Sequence, residues 1–349
     1  MPASDSVKIN KCVVIGLGLI GGSLAAALRK MSGCDEVIGV VRRQETADIA
    51  LSNGVVDRAV LSLSDIASEL DEGDVIFIAV PTLSVEETLQ DIRLQVSPAV
   101  TITDGASVKG SVVDAVKSVF GIIPPQFVPG HPIAGSEKSG VTAANPELYI
   151  NHRVILTPLP ETGDRHEARV AAMWQRVKAE VLIMSVEEHD SVLAATSHLP
   201  HVIAYSLVDT LANDAENENI FRYAAGGFRD FTRIASSDPR MWHDIMQANR
   251  DEVVQAIDLF QQNLNQLRQA IENRDSDYLL KTFTRAKQAR DQFVSPCGSK
   301  SSGDCSDSSS SSSSKNSFKS SSKSSSSDSS KSSSKKSSGE NVGHDSADK

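Results

Sequence analysis

The sequence predicts an α/β domain followed by an all-helical one, and three features carry that expectation. Short apolar runs alternate with helix-like stretches from Lys8 to about Pro160, the pattern turns helical after residue 185, and composition shifts abruptly to Ser and Lys after Phe293. Apolar runs of strand length between helical patterns mark buried parallel strands of a doubly wound sheet. The expected division is 1–185 for the α/β domain, 186–294 for the helical domain and 295–349 for a tail.

The chain has 349 residues, 40% hydrophobic and 23% charged, enough for one large or two ordinary domains with a real core. A net charge of -10 without a basic stripe argues against a nucleic-acid partner. No apolar run approaches the roughly 20 residues that span a bilayer, and "MPASDSVKIN" lacks a signal pattern, so no membrane partner is expected. Cys12, Cys34, Cys297 and Cys305 show neither metal-ligand spacing nor a disulfide framework, which suits a reducing cytoplasm and a site without metal. The tail carries eight Lys against six Asp or Glu and almost no aliphatic residues, so it is expected to be disordered.

The expected strands are "KCVVIGLG", "EVIGVV", "DVIFIAVP", "AVTITDG", "QFVPGHP", "HRVILTPLP" and "AEVLIMS". The first runs into Gly16, Gly18 and Gly21, a G-x-G-x-x-G that follows a strand and opens a helix. Its glycines serve the tight turn, the approach of backbone to a pyrophosphate, and helix-on-strand packing. This predicts a Rossmann dinucleotide-binding domain. Leu19 and Ile20 within the loop, and Val80 and Pro81 at the end of "DVIFIAVP", complete the expected cofactor set.

The second strand ends about 20 residues later, where a carboxylate would grip the ribose of NAD; this chain has Val41, then Arg42 and Arg43. Two guanidinium groups suit a 2'-phosphate, so NADP is expected, with NAD as the alternative.

"GHPIAGSEKSG", Gly130 to Gly140, has neither helical nor strand periodicity and reads as a loop that places His131 just past a strand. "VEEHDSVLAATSHLPHVIAYSLVDTLA" reads as one helix kinked at Pro200, with Asp190, His198 and His201 on a shared face. "YAAGGFRDFTRIASSDP" gathers Arg229, Asp230 and Arg233 around Gly226 and Gly227. "SSDPRMWHDIMQANRDEVVQAIDLFQQNLNQLRQAIEN" reads as one helix capped by Asp238, with Pro239 at its first position. Its seam of Val253, Ile257, Phe260, Leu264, Leu267 and Ile271 predicts a homodimer through an all-helical dimerisation domain.

Taken together, "GLGLIGGS", "DGASVKG", "GHPIAGSEKSG", "TSHLPH" and "GGFRDFTRIASSDPRMWHDI" resemble the prephenate and arogenate dehydrogenase family of tyrosine biosynthesis, over about Lys8 to Phe293. The resemblance implies an oxidative decarboxylation in which a hydride leaves ring C4, carbon dioxide leaves C1 and the ring becomes aromatic. It implies that His131 takes the proton of the 4-hydroxyl, that Ser107 supports it, and that Arg233 binds a substrate carboxylate. It further implies that Ser136, Glu137, Asp190, His198, His201, Asp230 and Trp242 line the pocket. The alternatives are another NADP-dependent hydroxy-acid dehydrogenase, which would present a lysine base on the helical domain, and a non-catalytic NADP-sensing regulator.

Overall fold

The computed structural model describes residues 7–136, 138–213 and 220–294; Glu137 and the Ser/Lys-rich tail from residue 295 lie outside the described residues. Two compact units divide the chain, Met1–Phe283 and Thr284–Lys349.

The expected Rossmann architecture is present. Six parallel strands, β1 (Lys11–Ile15), β2 (Glu36–Val40), β3 (Arg58–Val60), β4 (Val75–Ile78), β5 (Thr101–Asp104) and β6 (Phe127–Val128), are ordered β3-β2-β1-β4-β5-β6. Every residue of β4 and β5 is buried, which is why these strands are continuous runs rather than alternating ones. Strand order reverses between β1 and β4, so a crevice opens beyond the C-terminal ends of the strands. The loops that follow β1, β2, β4 and β5 carry, in turn, the glycines, Arg42 with Arg43, Val80 with Pro81, and Ser107. One face of the sheet packs Phe77 edge-on to Trp174 at 5.5 Å, and Trp174 in turn packs edge-on to Tyr149 at 5.1 Å. Helices α3 (Val85–Gln95) and α4 (Lys109–Phe120) bury Leu89, Ile92, Val112 and Val116 against the other face. The short edge strand β3 escapes sequence reading, since three half-buried residues carry no periodic signal.

Three expectations need correction. The runs at 127–133, 153–156 and 180–183 do not extend one parallel sheet. Pro129, which has no N–H for a ladder bond, separates β6 from β7 (Gly130–Ile133). This strand pairs antiparallel with β8 (Arg153–Leu156), which pairs parallel with β9 (Glu180–Ile183). His131 is therefore a strand residue, paired with Ile155, and not a loop residue. The helix expected to kink at Pro200 passes from α6 (Val186–Leu193) through a π turn at Ala194–His198 into α7 (Leu199–Ala212). The distortion thus lies just N-terminal to the proline, whose missing N–H removes a helical bond. The long helix after Asp238 is two, α9 (Pro239–Ala248) and α10 (Arg250–Glu272), broken at Asn249. Asp238 caps α9 as expected, accepting from the N–H groups of Arg240 and Met241. A last helix, α11, spans Ser276–Val294.

Candidate active site

The glycine loop fits a dinucleotide. Gly16 has φ +96°, and a Cβ there would lie 2.6 Å from the Ala79 carbonyl oxygen, so both the turn and its neighbour demand glycine. A Cβ on Gly21 would collide with Gly16 O at 2.0 Å, which keeps α1 (Leu19–Lys30) tight against β1. At Gly18, the N-cap of α1, nothing lies within 4 Å of the missing Cβ, leaving open space at a helix N-terminus for a phosphate. Arg42 and Arg43 are exposed after β2 and enter no ion pair among the described residues, whereas Val41 is buried.

A chain of three hydrogen-bonded groups runs through the candidate site. His131 Nδ1 lies 2.9 Å from His189 Nε2, and His189 Nδ1 lies 2.7 Å from Asp190 Oδ1. Proton positions follow from the ends. A carboxylate only accepts, so His189 Nδ1 carries the hydrogen; a neutral His189 then accepts at Nε2, and His131 must donate from Nδ1. That leaves the lone pair of His131 on Nε2, which has no protein partner among the described residues.

Both rings are held neutral. Burial, His189 and the Lys109 cation push His131 well below its ordinary value, and burial lowers His189 against the pull of Asp190. Burial alone would raise Asp190, but the hydrogen bond from His189 and the N–H groups of Lys109 and Gly110 outweigh it and keep the carboxylate charged. Those last two bonds, 2.8 and 2.7 Å, make Asp190 the anionic cap of α4, so the helix end anchors the chain of hydrogen bonds. Lys109 and Asp104, both wholly buried, pair with each other. Lys109 Nζ also donates to Gly130 O at 2.6 Å, and Asp104 Oδ1 accepts from Gly130 N at 3.2 Å, so the pair clamps the residue before His131 on both sides.

On the helical side, the Asn249 amide nitrogen contacts both the Asp190 carbonyl oxygen at 2.9 Å and His198 Nδ1 at 3.1 Å. Trp242 stacks on His201 with centroids 3.5 Å apart and stands edge-on to His198 at 6.2 Å. His201 Nδ1 donates to Ser197 O, and the Arg233 cation is close enough to lower His201 further, after burial. Arg233 and Asp230 are exposed, on the turn after α8 (Gly226–Thr232) and on α8 itself.

The structure thus brings His131, Asp190, His198, His201, Trp242 and Arg233 into one neighbourhood. Ser107 is half-buried in the loop between β5 and α4, Ser136 accepts from Lys138 N in the loop after β7, and Glu137 lies outside the described residues. Asp190 was expected to share a helix face with the two histidines and to line the pocket. Its Oδ1 accepts from His189 Nδ1 and Lys109 N, and its Oδ2 accepts from Gly110 N. His189, Lys109, Asp104 and Asn249 are the residues that sequence reading missed.

The five histidines 131, 166, 189, 198 and 201 all have lowered values, His166 and His198 to about 4. The unfolded chain therefore binds more protons below about pH 6.5, and stability falls as pH drops from there towards about 4. The urea midpoint is expected to decline steadily between pH 7 and pH 4.5; a midpoint flat over that range would contradict the neutral assignment.

Residues 24–183 match the model of the prephenate dehydrogenase nucleotide-binding domain, and residues 185–285 match the prephenate dehydrogenase dimerization domain. Cyclohexadienyl dehydrogenase of Zymomonas mobilis is 38% identical over 286 residues, covering 79% of this chain and 94% of that protein. Prephenate dehydrogenase of Bacillus subtilis is also 38% identical over 286 residues, covering 80% of this chain and 75% of that protein. Among solved structures, prephenate dehydrogenase from A. aeolicus with hydroxyphenyl propionate and NAD+ superposes with TM-score 0.77 at 35% identity, covering 82% of this chain and 99% of the other. Synechocystis arogenate dehydrogenase superposes with TM-score 0.68 at 28% identity, covering 81% and 100%. The chain belongs to the prephenate dehydrogenase family.

Proposed function

We propose that this member of the family, an NAD(P)-dependent oxidoreductase of tyrosine biosynthesis, oxidatively decarboxylates prephenate, arogenate or both, with NADP as the preferred cofactor and His131 as the base. The observation that carries the reading is the polarity of the His131–His189–Asp190 chain, which leaves a basic lone pair on His131 Nε2. A hydride can leave ring C4 only as the 4-hydroxyl loses its proton and becomes a carbonyl, and His131 Nε2 is the acceptor for that proton. The resulting imidazolium is stabilised through His189 by the Asp190 carboxylate. The C1–carboxylate bond breaks, its electron pair passes through the ring to the C4 oxygen, carbon dioxide departs, the ring aromatises, and the C4 oxygen takes the proton back from His131 to give the phenol. NADP, when bound, supplies the hydride acceptor.

Ser107 is assigned to support His131 and the hydroxyl, and Arg233, an exposed guanidinium near His201, to grip a substrate carboxylate. Names of relatives include prephenate, arogenate and cyclohexadienyl dehydrogenases, so the broad substrate class is retained. Pairing of two chains through the helical domain accords with Leu259, Leu264 and Ile271 of α10, each more than half exposed, and with the dimerization-domain match. Among the described residues no helix is long and apolar enough to cross a membrane; together with the free thiols of Cys12 and Cys34, a cytoplasmic location is the natural reading.

Two experiments test this. Carbon dioxide and NADPH are expected in equal amounts; NADPH without carbon dioxide would point to a plain hydroxy-acid dehydrogenase. Charge-assisted bonds from Arg42 are worth about 1.5 to 3 kcal/mol, so Arg42→Asp is expected to cut kcat/KM for NADP about tenfold to a hundredfold and turn the preference to NAD. Undiminished NADP use by that variant would remove the cofactor assignment.

A further inference from the structure

We infer that Asn249 is a positioning residue that fixes the tautomer of His198, so that His198 presents an N–H donor from Nε2 to the substrate. The inference deepens the reading of the site given above and rests on it for the identity of the ligand.

The geometry starts at the break between α9 and α10. Asn249 occupies the position before α10, where an asparagine side chain ordinarily caps its own helix. Here it makes no such cap. Its side chain crosses to the π turn and α6 instead, and it is buried, at 4% exposure. The amide orientation is dictated by its first partner. The Asp190 carbonyl oxygen can only accept, so the group facing it at 2.9 Å is the NH2. The second hydrogen of the same nitrogen points at His198 Nδ1, 3.1 Å away. A nitrogen that accepts there carries no hydrogen of its own.

His198 is 1% exposed, and burial lowers it to about 4, so it is neutral near pH 7 and its single hydrogen sits on Nε2. That Nε2 has no acceptor among the described residues. One turn further on, His201 has the opposite polarity. Its Nδ1 donates to Ser197 O at 2.9 Å, leaving Nε2 as an acceptor. His198 at the end of the π turn and His201 on α7 therefore stand beside Trp242, one a donor and one an acceptor, and Asn249 is what makes the first a donor. The same amide nitrogen holds the backbone of Asp190, so it ties the substrate-facing histidine to the hydrogen-bond chain that ends in His131. A purely structural asparagine would need only the bond to Asp190 O, and the tautomer separates the two roles.

The test is a two-bond 15N–1H correlation spectrum of the full chain labelled at histidine, with His198 assigned by the spectrum of His198→Gln, alongside steady-state kinetics with prephenate and arogenate. Wild-type protein is expected to show His198 with hydrogen on Nε2. In Asn249→Asp, a side chain that only accepts should draw the single hydrogen of His198 to Nδ1 and leave Nε2 without one. KM should then rise at least about tenfold, the cost of one lost substrate hydrogen bond, with a smaller change in kcat. Asn249→Ser serves as the milder replacement should the aspartate variant fail to fold, and it should show mixed tautomers. Hydrogen on Nδ1 of His198 in the wild type overturns the inference with no variant needed. An unchanged tautomer in either variant overturns it as well. Because the spectrum is read on the protein alone, an absence of NADPH from both substrates would sink the reading of the reaction while the Nε2–H tautomer would still stand for Asn249.

Discussion

Replacing His131 with Asn is expected to lower kcat about a hundredfold to ten-thousandfold, with only a modest change in KM. The asparagine amide can keep a hydrogen bond to His189 and fill much of the same space, so β7 and its pairing with β8 should survive. It has no basic nitrogen, however, and the 4-hydroxyl proton would have to pass to water in the transition state. The loss should fall on kcat and kcat/KM alike, as expected for an interaction made only as the proton moves. Steady-state kinetics at neutral pH check this, and an unchanged kcat would remove His131 from its assigned role.

Breaking the buried ion pair behind that histidine is the second large effect. Lys109→Met leaves the Asp104 carboxylate in a site with no solvent contact, and removing one partner of such a pair costs about 3 to 5 kcal/mol. Asp104 would keep its bonds from Gly130 N and Ala106 N, which softens the penalty without supplying a counter-charge. The double replacement Lys109→Met with Asp104→Leu should recover much of the loss, because no charge is then stranded. Urea unfolding of the wild type, of Lys109→Met and Asp104→Leu singly, and of the double variant checks both statements. A double variant as unstable as the sum of the single ones would show that the two side chains do not act as a pair. The folded double variant should still be slow, since Gly130 O and Gly130 N would no longer be clamped beside His131.

Much of this is legible in the sequence, and what is not has physical reasons. Glycine spacing after a strand is dictated by backbone crowding, so the spacing of Gly16, Gly18 and Gly21 is enough to imply their geometry. Arg42 and Arg43 are legible for the same kind of reason, since their place follows from the end of β2. His131 stands out as a titratable group beside apolar runs, but its strand does not, because a four-residue strand interrupted by Pro132 and preceded by Pro129 shows no alternation.

His189 is hidden by helical periodicity. Neighbouring residues on a helix face different ways, so a search for partners of Asp190 at three, four or eight residues passes over the one next to it. Its ring nevertheless folds back onto that carboxylate. Asn249 is hidden inside what reads as an unbroken amphipathic helix, and Asp104 and Lys109 are hidden because burial of a charge pair depends on packing across β5, α4 and β7 that no local pattern records.

The most direct test is the initial rate of NADPH formation by the purified chain with prephenate and with arogenate, side by side, with NAD as the cofactor control. Turnover is expected with at least one of the two substrates, faster with NADP than with NAD. No reduced cofactor from either substrate, or a clear preference for NAD, would contradict it.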